Sequence, residues 1–476
     1  MSRPWMTGLI TLGCTSLALA QTGTPATPPA YSPVRWTEDY SYLKDPAART
    51  DPFDAIKYIP LTDDGTTYLS LGGQARYRYE WWNNVGFGAA TQDENGFHLF
   101  RLMAHADLVV GEHLRGFVQL KSSLIEGRDG GPRAAVDEDE IDIEQAFVDV
   151  RMRVDELSLT ARVGRQNLIF GQQRIISPLD WTNTRRTFDG AKLTAKLDRN
   201  ATLDLFWAQP VAIDPTSLNS TNDNQTIWGG YYTRSLPDLV ATGPSSVEGY
   251  LLKLDRVPAT FAEGAADEHR WTIGGRFVTA PKPWMFEMEG AYQFGEFGDG
   301  DISAWFIATQ ASYTFADVRF TPRAWVAFDY ASGDSDAGDG DLGTFNQLYP
   351  LAHAYYGYAD LLGRQNAIDA HTGVELTLVK GERYAESVVL FAEYHAFWRA
   401  SDDDAIYGTA GTVTRAGGGS GSRFIGHEID LLVRWKIDRH TDVLIGYSHF
   451  FSGEFIEDTG ADGDVSFFYT QVQFTF

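Results

Sequence analysis

The chain holds a single cysteine, Cys14, and that residue sits inside an apolar leader. Arg3 supplies the short charged start, Met6 to Ala18 is mostly apolar, and Ala18-Leu19-Ala20 before Gln21 is a small-x-small cleavage site. The flank Thr11-Leu12-Gly13 and the short apolar run before Cys14 argue against lipid attachment there. Cleavage after Ala20 therefore leaves a mature protein with no disulfide, no thiol nucleophile and no Cys-ligated metal. No apolar stretch of about 18 residues follows the leader, and mean hydropathy is -0.26, so helical membrane spans are excluded. Net positive charge is lacking too: 39 Lys+Arg face 64 Asp+Glu, for -25, so a nucleic-acid partner is not expected. No Gly-x-Ser-x-Gly elbow occurs, and none of the ten histidines sits in a recognisable metal or nucleophile motif. Glu287 and Glu289 resemble a paired-carboxylate arrangement, but same-face alternation on a strand accounts for them. The chain is expected to be no enzyme and to need no cofactor.

What is present is alternation. Hydrophobic residues make up 43% of the chain and aromatics 13%, ample for strands whose apolar half faces lipid. The last eleven residues show it most plainly. Phe468, Thr470, Val472, Phe474 and Phe476 share one parity, while Phe467, Tyr469, Gln471, Gln473 and Thr475 share the other. This pattern is similar to the terminal strand by which bacterial outer-membrane barrels are recognised, with Phe474 and Phe476 as the assembly signal for the barrel-assembly machinery. Period-two segments number about eighteen between 67 and 476, and no linker interrupts them. The expected fold is all-β: a transmembrane antiparallel β-barrel of the outer-membrane type in one domain, preceded by a leader (1–20) and a periplasmic segment (21–66). Among the strands, the ninth to thirteenth are expected near 247–255, 270–279, 284–294, 302–315 and 317–330. Connections after even-numbered strands are mostly tight and those after odd-numbered strands mostly long, the pattern of periplasmic turns and external loops. The connection 235–246 breaks that rule.

Charges facing the lipid midplane cost about 2–4 kcal/mol each, so parity assigns them to the lumen. Inward candidates are Gln74, Arg76, Arg78 and Glu80; Arg101, His105 and Asp107; Arg319 and Arg323; Glu393, His395 and Arg399; and Glu428, Asp430 and Arg434. Two long connections stand out. Residues 165–188 gather Arg165, Arg174, Arg185 and Arg186 beside Asp180 and Trp181, either a constriction inside the pore or an external loop tied by its own ion pairs. Residues 331–367 carry Asp334, Asp336, Asp339 and Asp341, whose spacing fails the EF-hand pattern and fits a solvated acidic loop, and then an aromatic run, Tyr355-Tyr356-Gly357-Tyr358. In the amino-terminal segment, Pro25, Pro28, Pro29 and Pro33 mark a linker. Phe53, Ile56, Tyr58 and Ile59 mark a short element that packs at the lower end of the barrel.

Several segments together resemble the alginate export family of outer-membrane barrels: Gly164-Arg165-Gln166, the run from Gly171 through Arg174, Asp180, Trp181, Arg185 and Arg186 to Gly190, Tyr394-His395-Ala396-Phe397-Trp398-Arg399, and Ile425-Gly426-His427-Glu428-Ile429-Asp430. The resemblance implies an eighteen-stranded monomer whose arginine-lined pore passes a polyuronate, with Arg101 and Arg399 at positions that look like pore arginines. Bidentate guanidinium groups suit carboxylates. Two positions depart from the exporter's pattern. Asn167 stands where it has a further Arg after Gly-Arg-Gln, and Glu144-Gln-Ala-Phe147 stands where it has Ala-Arg-Glu-Phe-Trp. The expected function is an outer-membrane channel for acidic polysaccharide or small anionic solutes, with Arg76, Arg101, Arg165, Arg174, Arg185, Arg186, Arg323, Arg399, Glu428 and Asp430 lining the path. A small-solute uptake porin is the alternative; a barrel hydrolase and a receptor with binding loops are rivals that conductance separates. Expected partners are outer-membrane lipids, the solute, the assembly machinery and periplasmic export components.

Overall fold

The computed structural model describes residues 30–476 apart from 238, 241 and 337. The leader, its cleavage site, Cys14, Pro25, Pro28 and Pro29 lie outside the described residues.

Eighteen antiparallel strands form a closed ring. They are β1 (Thr67–Asn83), β2 (Phe97–Val110), β3 (Leu114–Glu126), β4 (Asp139–Val154), β5 (Leu157–Gln166), β6 (Phe188–Lys196), β7 (Ala201–Ala212), β8 (Gln225–Ser235) and β9 (Ser245–Phe261). Then follow β10 (Gly264–Thr279), β11 (Trp284–Phe297), β12 (Gly300–Thr314), β13 (Arg323–Ala331), β14 (Ala367–Glu382), β15 (Ala385–Trp398), β16 (Phe424–Lys436), β17 (Thr441–Ser452) and β18 (Val465–Thr475). Each pairs with its sequence neighbour, and β18 closes on β1 with Thr475 opposite Gln74 and Ser466 opposite Asn83. Closure satisfies the edge backbone groups that lipid cannot. An even strand number brings the start of β1 and the end of β18 to one side, where the short connections also lie.

Alternation decides the two faces. On β2, Leu99, Arg101, Met103, His105 and Asp107 are buried inside, while Phe100, Leu102 and Leu108 face out. The outward set is apolar almost throughout: Val118 and Leu120, Val148 and Val150, Val163, Ile273 and Val326. Aromatic belts flank it. Trp284 packs edge-on against Tyr313 at 4.8 Å near the short turns, and Trp305 stacks on Tyr330 at 4.4 Å toward the long loops. These are the two headgroup levels. A hollow of about 450 Å³ lined by Leu108, Gly116, Val118 and Val148 lies on this lipid-facing surface.

Two expectations are corrected. The thirteenth strand begins at Arg323, not near 317, because residues 315–322 form a turn in which Phe320 and Thr321 take positive φ and Phe315 donates its N–H to Pro322 O at 2.8 Å. Alternation of Val318 and Phe320 imitates a strand there; Arg319 consequently lies in the turn against the Phe320 ring at 4.4 Å. The long outer connections expected after the ninth and eleventh strands are two-residue turns, since β9 to β12 continue outward through polar residues such as Asp255, Glu268 and His269. Beyond the lipid layer a paired strand no longer needs apolar outward residues, so the alternation that marks it fades.

The lumen is filled by chain. Residues 167–187 turn inward and bury Leu168, Phe170, Ile175 and Ile176. Residues 342–366 do likewise, with Tyr356 and Tyr358 packed against Phe397 and Tyr469, while Asp336, Asp339 and Asp341 before them stay exposed. The two segments meet as a parallel bridge between Ile176 and Tyr349. Fully burying such side chains contributes about 1.5–3 kcal/mol each, which holds both loops inside. Near the outer mouth, residues 399–423 fold over a short hairpin, and α1 (Glu454–Thr459) closes beside it.

The amino-terminal segment occupies the other mouth. Arg35 donates to Gly73 O at 3.1 Å and Phe476 O at 2.8 Å, and Asp51 pairs with Arg439 at 3.2 Å and His440 at 2.7 Å. Phe53 packs on Phe476 at 5.2 Å and Phe474 at 5.9 Å. Ile59–Pro60 pairs antiparallel with Tyr68 and Leu69 at the start of β1.

Candidate functional site

The inner wall divides by charge. On one arc, β1 to β3 present Arg76, Arg78, Arg101 and Lys121. Register brings Arg76 directly opposite Arg101, and period two adds Arg78 on the same face. These cations point at backbone oxygens of the inward loop. Arg76 donates to Asp180 O at 3.0 Å and Thr182 O at 2.8 Å; Arg101 donates to Asp180 O at 3.0 Å, Thr182 O at 3.1 Å and the Asp180 carboxylate at 3.0 Å. Arg78 donates to Trp181 O and lies over its indole at 4.0 Å, and Lys121 donates to Thr184 O. Asn183 completes the clasp by donating to Phe100 O and Leu124 O, carbonyls of β2 and β3.

On a second arc, β14 to β16 present Asp369, Glu393, Asp430 and Glu428. Of these, Glu428 and Asp430 accept from backbone N–H groups of the second loop. Ala359 N donates to Glu428 at 2.9 Å, and Tyr358 N reaches Asp430 at 3.4 Å. Gly357 passes so close that a Cβ would lie 2.5 Å from the Glu428 carboxylate, at a φ of +80° that also favours glycine. The two loops are joined where Trp181 stacks on His353 at 3.5 Å and donates its N–H to Asp360 at 2.7 Å.

The remaining expected site residues take up separate posts. Arg174 reaches across the lumen to Glu287 and, at 3.0 Å, to Glu289, which accounts for that carboxylate pair. Arg185 lies 3.2 Å from Asp180, and Arg186 lies over the Tyr349 ring at 5.4 Å. Arg165 makes a two-pronged pair with Asp189 at 2.9 and 3.0 Å near the outer end of β5. Arg323 pairs with Glu375 at 3.4 Å. Arg399 donates to Asp402 O, Asp404 O and Ser420 O at 2.8, 3.0 and 2.7 Å, pinning the outer loop. Asn167 and Glu144, the two departures from the exporter pattern, are bonded to each other at 3.0 Å. In the acidic loop, Asp334 and Asp341 cap backbone N–H groups of Gly343 and Asp301.

Below the clasp lies a cavity of about 270 Å³ between the inward loop and the amino-terminal segment. Arg35, Arg185, Lys436 and Arg439 line it, against Asp180 and Asp442. Sequence reasoning missed three of these four cations. Arg35 lies in a segment read as linker, Arg439 lies in a tight turn, and Lys436 ends a strand. Only proximity in the fold gathers them.

A family model described as alginate export matches residues 67–467. No curated protein sequence matches the chain. Among solved structures, the chain is similar to OpdK of Pseudomonas aeruginosa with vanillate (10% identity, TM-score 0.56, covering 86% of this chain and 98% of that one). It is similar also to a BenF-like porin from Pseudomonas fluorescens Pf-5 (11%, 0.55, 86% and 98%) and to OccK2 of Pseudomonas aeruginosa in complex with glucuronate (11%, 0.52, 86% and 96%). At such identities the likeness concerns the fold.

Proposed function

The chain belongs to the alginate export family, an outer-membrane channel rather than an enzyme, and from that premise we propose that it passes small carboxylate-bearing solutes of the uronate class. The supporting observation is the cavity under the clasp, where four cations and two carboxylates border about 270 Å³. A cavity of about 150 Å³ admits a benzene ring, so this space is on the scale of one sugar ring and not of a chain. Guanidinium groups in a narrow, partly dehydrated passage attract carboxylates far more strongly than in bulk water. The neighbour bound to glucuronate offers a precedent for that solute class on this barrel shape.

Passage of a polyuronate is the second reading, favoured by the family description. It requires residues 167–187 to leave the lumen, and Asn167 and the segment Glu144-Gln-Ala-Phe147 lack the two arginines of the exporter pattern. Planar-bilayer recordings separate the two. Millimolar glucuronate is expected to reduce single-channel current while a long polyuronate does not. Block by the polyuronate alone would favour the polymer, and current indifferent to both, with no anion preference in the reversal potential, would remove uronates from consideration.

A further inference from the structure

The acidic arc carries a group of residues that loop-holding does not use. On β14, period two sets Asp369 and His371 on the same inward face, and the β14–β15 register sets His395 opposite His371. The Nδ1 atoms of His371 and His395 each lie 2.9 Å from the same oxygen, Oδ2 of Asp369, and the three atoms all fall within 4.8 Å of one another. The imidazoles stack at 4.7 Å.

We propose that Asp369, His371 and His395 form a three-ligand site for a divalent transition metal of the zinc class on the lumenal wall. Two imidazoles and a carboxylate make a donor set suited to zinc, and too rich in nitrogen for calcium or magnesium. Metal–ligand bonds of about 2.0–2.2 Å in a tetrahedron place the ligand atoms about 3.4 Å apart, so the two histidine–aspartate separations open by about half an ångström and the widest pair in the cluster closes by up to about 1.4 Å.

Three features point to a ligand beyond the cluster itself. Asp369 is fully buried, yet its Oδ1 has no hydrogen-bond partner among the described residues, an arrangement that costs about 1–3 kcal/mol if nothing else engages it. A divalent cation on Oδ2 offsets that cost by its charge. Asp369 has ion pairs with the two histidines and, among the described residues, with no Lys or Arg. Behind His395, its Nε2 lies 3.8 Å from Asp430, the carboxylate placement that orients a ligating imidazole so that Nδ1 faces the metal. His371 is half-buried, so the fourth coordination position opens toward the lumen. A metal there sets a divalent cation in the otherwise acidic arc.

The test uses the full-length barrel purified without a polyhistidine tag. Co²⁺ is added as the optical probe, and Zn²⁺ is measured by calorimetry and by its displacement of Co²⁺. One metal per chain is expected, at micromolar affinity or tighter, with the visible absorption of four-coordinate Co²⁺ and with binding that weakens in acid because the imidazoles must be unprotonated. H371Q with H395Q should lower affinity at least 100-fold, and D430N about 10-fold through its hold on His395. H427Q, on the outer face, should change nothing. Should the double variant fail to assemble, H371Q alone decides, since His371 is the more exposed of the two histidines. Wild-type barrel that takes up no Co²⁺ at 100 μM, or an H371Q variant that binds as tightly as wild type, overturns the site.

Discussion

The cationic arc on β1 to β3 and the acidic arc on β14 to β16 perform the same task with opposite chemistry. Arg76, Arg78 and Arg101 grip one loop by its carbonyls, and Glu428 and Asp430 grip the other by its amides. A backbone offers both donors and acceptors, so a wall of either sign can hold it. The arcs differ in strength. A guanidinium presents five donors and engages several carbonyls at once, whereas here each carboxylate meets one N–H group of the loop. Wall charge therefore reports first on which loop is held. It bears on the solute only where it borders open space, as beside the lower cavity.

The largest effect is expected from breaking the stronger arc. Hydrogen bonds to charged groups contribute about 1.5–3 kcal/mol each, and serine at 76, 78 and 101 removes at least six. The segment 167–187 should then leave the lumen for much of the time, with single-channel conductance rising severalfold in a correctly assembled barrel. Unchanged conductance would mean that the apolar anchors Leu168, Phe170, Ile175 and Ile176 hold the loop unaided. A smaller effect is expected from Glu428→Gln with Asp430→Asn. The amide side chains still accept from Ala359 and Tyr358, so conductance should change by less than about twofold. An increase matching that of the arginine variant would erase the proposed asymmetry between the arcs.

The strands were legible in the sequence because lipid imposes period two on every span; β2, where Leu99, Arg101, Met103, His105 and Asp107 alternate with outward residues, is the clearest case. They were illegible where that pressure ends, as in the outer halves of β9 and β10, or where a turn mimics alternation, as at 315–322. Sequence parity placed Arg76, Arg101, Glu428 and Asp430 on the inner wall. It did not reveal what they touch, because their partners are main-chain atoms of loops and any residue supplies those. Asp369 and His371 went unnoticed for a related reason. A two-residue spacing on a strand is no recognised ligand motif, and the third ligand comes from β15 by register alone.

The smallest effect concerns the lower mouth, where the cationic arc continues into the amino-terminal segment. Lys57 is fully buried there, with the rings of Tyr31, Tyr40 and Phe476 at 5.3, 5.2 and 5.9 Å from its Nζ and no hydrogen-bond partner among the described residues. Burial, reinforced by Arg35 nearby, pushes its pKa down to about 7 from 10.5. The folded value lies below the released one, so the docked segment binds the proton less tightly. Below pH 7 the lysine is charged whether docked or released, and docking bears the whole cost of burying a cation. Between pH 7 and 10.5 the docked form gives up its proton first, the cost shrinks, and docking strengthens. Amide exchange at Leu43 and Ala48, corrected for the intrinsic pH dependence of exchange, should therefore slow from pH 6 to pH 9. The difference between wild type and Lys57→Met isolates the lysine. Methionine should dock more firmly at pH 6 and lose most of the gain toward pH 9. Equal protection in the two proteins at both pH values would show that Lys57 carries no proton-linked share of the docking.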